Sequence, residues 1–94
     1  MSQTAVLFRS SLGEVLRAER MHQAMTLREL SSSARVSLGY ISEIERGQKE
    51  ASSELLASLC AALEVPLSVV LAEVSRRVAV AERGLVSTPV ASAA

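Results

Sequence analysis

Side chains able to do covalent chemistry are few here, and they are poorly placed for it. Ser31, Ser32 and Ser33 offer hydroxyls, Cys60 is the only thiol and His22 the only imidazole, and Asp is absent from all 94 residues. A nucleophile needs a base and a third group to orient that base, so this inventory points away from an enzyme. One Cys and one His also make no ligand set for a structural zinc, so no metal or cofactor is expected. His22 reads as a surface or capping residue and Cys60 as a small core residue. The spacing instead supports recognition. Thr26-Leu27-Arg28-Glu29 has the form of a capping box, Ser37 suits the cap of a following helix, and Gly47 stops that helix after Glu45-Arg46. A short helix, a turn of about three residues and a helix of about nine is helix-turn-helix spacing. In that arrangement the first helix aims its N-terminal amides at an anion, and the second is narrow enough to enter a DNA major groove.

Five helices are needed to position these residues. Phe8, Leu12, Val15 and Leu16 recur near the 3.6 period and predict a first helix over about residues 5 to 24. Leu27, Leu30 and Ala34 form the stripe of the second, and Tyr40, Ile41 and Ile44 lie along the third. Ser52 or Ser53 caps a fourth, whose stripe is Leu55, Leu56, Leu59, Cys60 and Leu63, ending near Glu64. Pro66 opens a fifth, with Leu67, Val70, Leu71, Val74, Val78 and Ala81 at heptad-like intervals. After Arg83 the chain has Gly84, Pro89 and small uncharged residues, so 84 to 94 is expected to be a flexible tail. The organisation is therefore a recognition domain over 1 to 66 (helix-turn-helix proper about 26 to 46), a C-terminal helix over 67 to 83, and the tail.

Composition narrows the partners. Ten Lys+Arg balance ten Asp+Glu, which excludes a polybasic coat holding nucleic acid by charge alone. Within 26 to 50, Arg28, Arg35, Arg46 and Lys49 face Glu29, Glu43, Glu45 and Glu50, so only segregation by face makes a basic surface. Arg28, Arg46, Gln48 and Lys49 are the candidate phosphate contacts. No apolar run approaches the ~18 residues of a membrane span, and the start lacks the pattern of a secretion signal, which points to the cytoplasm and no membrane partner.

Residues 12 to 71 resemble the Xre/phage-repressor (Cro/C1-type) helix-turn-helix family. The resemblance rests on Thr26-Leu27-Arg28-Glu29-Leu30, Val36-Ser37, Ile41-Ser42-Glu43-Ile44-Glu45-Arg46-Gly47, Ser52-Ser53-Glu54-Leu55-Leu56 and Leu59-Cys60-Ala61-Ala62-Leu63-Glu64-Val65. More narrowly, the whole chain is similar to the actinobacterial regulators of clp protease genes. The resemblance implies an all-α, five-helix fold and a sequence-specific DNA-binding transcription regulator. It further implies a homodimer on a pseudo-palindromic operator, activating clp protease and chaperone genes through RNA polymerase. It pairs Arg20 with Glu45 and carries base reading onto Ser37, Leu38, Gly39 and Glu43. Leu38 suits a thymine methyl, Gly39 a close backbone approach and Glu43 a cytosine amino group, with Tyr40 and Ser42 placed to reach backbone or base edges. Arg35 stands where the family has Gly in the turn, where a left-handed backbone is commonly needed, and is expected to project towards DNA. Leu27 replaces the usual Gln, and Ala51 the common Pro.

A two-fold dimer reads half-sites about 34 Å apart, and Val70, Leu71, Val74 and Val78 are the expected dimerisation seam, with Arg76 and Arg77 at its rim. The terminal Ala93-Ala94 resembles endings that Clp-type proteases recognise, a candidate degradation signal. The competing function class is a protein-interaction module, coactivator or antitoxin-like, that reuses the fold.

Overall fold

The computed structural model describes residues 3–86. Five helices follow one another: α1 (Gln3–His22), α2 (Leu27–Ala34), α3 (Leu38–Glu45), α4 (Ser53–Leu63) and α5 (Leu67–Val86). Hydroxyl caps start three of them. Thr26, Ser37 and Ser52 accept from the backbone N–H groups of Glu29, Tyr40 and Leu55, and Glu29 completes a capping box by accepting from the Thr26 N–H.

The first four helices end in the same way. Ala24, Arg35, Gly47 and Glu64 all take positive φ, between 55° and 75°. Behind each, the next amide reaches back five residues: Met25 to Arg20, Val36 to Ser31, Gln48 to Glu43 and Val65 to Cys60. This closure satisfies carbonyls that a helix end would otherwise leave unpaired. It also ends α1 at His22, two residues earlier than the apolar pattern suggests. Only one of the four closing positions is Gly, and the other three carry the steric cost of a side chain in the left-handed region.

α1 packs along α5 and across α3, and α2 packs on α3 and α4. The core comprises Leu12, Val15, Leu16, Leu30, Ile41, Ile44, Leu56, Leu59, Cys60, Leu63, Val70 and Val74. Burial in this apolar setting pushes the Cys60 thiol pKa up, so the thiol stays protonated and packs as an apolar group. Phe8, expected on the buried stripe, is instead 42% exposed, because α1 runs on past the core at its N-terminal end. α1 and α5 lie antiparallel: the end of α1 at His22 borders Val69, and Glu14 pairs with Arg77 at 3.2 Å.

α5 continues through Val86, so residues 84 to 86 are helical rather than part of a tail. Gly84 costs a helix interior only about 1 kcal/mol, too little to stop one already propagating. Ala93 and Ala94 lie outside the described residues. No single helix among those described is long and apolar enough to cross a membrane.

Candidate nucleic-acid interface

One close approach sets the position of α3. A Cβ on Gly13 of α1 would stand 2.3 Å from the Ile44 carbonyl oxygen and 2.6 Å from that of Glu45, so only glycine lets the two helices cross here. Two turns further along the same face of α1, Arg20 meets the end of α3. Its Nε and Nη2 donate to the two carboxylate oxygens of Glu45 at 2.7 and 2.9 Å, and Nη1 donates to the Met25 carbonyl at 2.9 Å. Both side chains are largely removed from water, at 11% and 6% exposure. The guanidinium pKa is raised, first by the hydrogen bond to Glu45. This pair anchors the C-terminal end of α3 to α1 and removes the Glu45 charge from the outward balance. Ser31 braces the turn at the other end by donating to the Val36 carbonyl at 2.6 Å.

Held in this way, α3 presents its outer face. Ser37, Leu38, Gly39, Tyr40, Ser42, Glu43, Arg46 and Lys49 line one open depression. Leu38 and Tyr40 are 38% and 37% exposed, large for apolar or aromatic residues, and nothing lies within 4 Å of where a Gly39 Cβ would stand. The Ser37 oxygen is used as the cap, accepting from the Tyr40 N–H. The Tyr40 hydroxyl donates to the Glu50 carbonyl at 3.0 Å, and the Lys49 ammonium lies 6.0 Å from the centre of its ring. Arg46 donates through Nη1 to the Ser42 hydroxyl. Arg46 and Lys49 against Glu43 leave this face with a positive balance, as segregation by face requires in a neutral chain.

Other sequence-singled residues fall elsewhere. Arg28 is exposed in the first turn of α2 and Gln48 in the loop after α3. Arg35 does take the left-handed turn position, with φ 59°. It lines a separate depression with Ser33, Ala34, Ser58, Ala61 and Ala62, between α2 and α4, and is not gathered with the α3 face. The seam expected for dimerisation needs correction. Val70 and Val74 are each 2% exposed within the chain's own core and Val78 packs against it, which leaves only Leu71 of the four on the surface, at 40%. Packing of α5 along α1 uses the heptad-like stripe inside the protomer. Among the described side chains, the large apolar residues α5 exposes are Leu67, Val69, Leu71 and Val80. Sequence reasoning missed Gly13, for which a glycine inside an amphipathic helix was the available signal. It also missed Gln23, whose side-chain amide donates to the Leu63 carbonyl at 2.6 Å and ties the ends of α1 and α4. Among the described residues no cluster of His, Cys or Glu is arranged to hold a metal.

Two buried anchors fix the second helix of a helix-turn-helix and leave its face open, and residues 16–70, more than half the chain, match the family described as helix-turn-helix. The chain belongs to that family, which is one of DNA-binding transcriptional regulators and not of enzymes. It is 60% identical over 85 residues to the transcriptional regulator ClgR of Mycobacterium tuberculosis, an alignment covering 90% of this chain and 76% of that one. The crystal structure of the clp gene regulator ClgR from Corynebacterium glutamicum superposes with a TM-score of 0.76 at 49% identity, over 83% of this chain and 85% of that one. The restriction-modification controller protein C.Esp1396I shares the fold, with a TM-score of 0.70 at 23% identity over 83% of this chain and 95% of that one.

Proposed function

We propose that this chain acts in the cytoplasm as a homodimer that sets α3 of each protomer in the major groove of a pseudo-palindromic operator. Likeness to the clp gene regulator ClgR supports clp protease genes as the targets, and the same reading has the dimer activate them, and chaperone genes with them, through contact with RNA polymerase. The observation that carries the reading is the state of α3: its inner side is locked by Arg20–Glu45, while Leu38, Gly39 and Glu43 face outward beside two cations. An element rigid before binding loses less entropy on binding, which suits groove readout. Arg28, Arg46, Gln48 and Lys49 supply phosphate contacts, and Ser37, Leu38, Gly39 and Glu43 face the bases. Residues 1–66 recognise DNA. The helix after them dimerises through its exposed side, Leu67, Val69 and Leu71. Ala93 and Ala94 offer a Clp-type protease a handle, tested by cellular lifetime after both are replaced by Asp.

Selection of sites from a random duplex pool tests the reading. A palindrome with half-sites about one turn apart is expected. The three cations Arg28, Arg46 and Lys49 of each protomer predict a log-log salt slope of about −5 for the dimer. Val69→Glu should abolish the palindrome while leaving a folded monomer, and Glu43→Ala should relax selectivity at one base. No enrichment and a flat salt response would instead identify a protein-interaction module, a coactivator or antitoxin-like binder.

A further inference from the structure

We propose that Tyr40 and Ser42 are positioning residues for the phosphate-binding cations Lys49 and Arg46, not readers of base edges. Both hydroxyls lie on the face that would enter the groove, and their side-chain bonds go to the protein. The single proton of Tyr40 goes to the Glu50 carbonyl, ten residues along the chain, at 3.0 Å. That bond ties the loop between α3 and α4 to the recognition helix. The loop carries Lys49, whose ammonium stands 6.0 Å from the centre of the Tyr40 ring, within reach of the ring's electrostatic attraction. Ser42 sits one turn before Arg46 and accepts from its Nη1. Arg46 keeps its remaining N–H donors for an anion.

A free Lys or Arg side chain loses considerable rotamer freedom when it grips a phosphate. The tethered loop and ring beside Lys49 and the Ser42 hydroxyl on Arg46 place each cation beforehand, at the rim of α3, which lowers that cost and tightens binding. The resulting division of labour places register and affinity on braced cations, and sequence reading on Leu38, Gly39 and Glu43. This inference rests on the DNA-binding reading above.

The test uses the full chain, with fluorescence anisotropy on the selected operator, on single-base variants of it and on a scrambled duplex, across a salt series. Tyr40→Phe keeps the ring and removes the tether, and Ser42→Ala removes the other brace. Each should weaken binding by about two- to tenfold on operator and scrambled duplex alike. The salt slope of each should shallow towards that of Lys49→Ala or Arg46→Ala, a change of about one contact per protomer. Tyr40→Phe combined with Lys49→Ala should bind no more weakly than Lys49→Ala alone, and likewise Ser42→Ala combined with Arg46→Ala. Additive losses, an unchanged slope with a reduced preference for the operator, or no change at all would each overturn the proposal. Should Tyr40→Phe melt early, the Ser42→Ala arm decides. Failure of the underlying reading looks different: the unaltered chain then shows neither operator preference nor salt dependence.

Discussion

Replacing Glu45 by Ala removes both carboxylate acceptors from Arg20, whose side chain is 11% exposed in the intact pair, and leaves its guanidinium with the Met25 carbonyl. Breaking a buried pair from one side typically costs about 3–5 kcal/mol, because the surviving charge is left uncompensated. The retained carbonyl bond and partial access to water place this case near the low end, at about 3 kcal/mol. A chain of this length has a total stability of about 5–14 kcal/mol, so the loss is a large share of it. In a thermal melt it corresponds to a fall of roughly 12 °C or more. Removing both partners together, as Arg20→Met with Glu45→Leu, should restore most of the stability, since a buried ion pair and an apolar pair of similar volume are nearly equivalent. Circular dichroism melts and urea titrations of the two variants and the parent decide the matter. A loss below about 1 kcal/mol, the magnitude of an exposed pair, would refute the anchoring argument. So would a double variant less stable than Glu45→Ala.

Three further outcomes follow from the packing. Arg35→Gly and Glu64→Gly should each raise stability by about 0.5–1 kcal/mol, because glycine takes positive φ without a Cβ clash; a lower melting temperature for Arg35→Gly would show that its side chain earns more against α4 than it loses to strain. Gly13→Ala should cost about 3 kcal/mol or more, since the new methyl meets two backbone carbonyls that cannot rotate away, and unchanged urea denaturation would contradict the close crossing. Arg76 and Arg77 hold the Glu73 carboxyl down at about 2 from an ordinary 4.5. Its folded pKa is thus below the unfolded one, and its stabilisation is complete above 4.5 and disappears as pH falls towards 2. The melting difference between the parent and Glu73→Gln should be constant near neutrality and close on acidification, and a gap that widens there would be contrary.

Most of the local structure was legible because it is enforced locally. The Thr26–Glu29 box, the Ser37 and Ser52 caps and the 3.6-residue stripes act within a few residues of themselves, so reading the chain places all five helices. The Arg20–Glu45 pair, by contrast, came through family resemblance, because partners 25 residues apart leave no periodic trace. Tertiary structure decided the uses of surface that local pattern leaves open. A heptad-like stripe on α5 is equally suited to a partner subunit or to α1, and only packing shows Val70 and Val74 to be spent inside the protomer. Residue type alone likewise leaves Tyr40 free to read a base or brace a loop, and the position of the Glu50 carbonyl shows where its hydroxyl goes. Gly13 is the clearest division between the two. Its identity is written in the sequence, but the reason for it is the backbone of α3, which approaches too closely for any other residue.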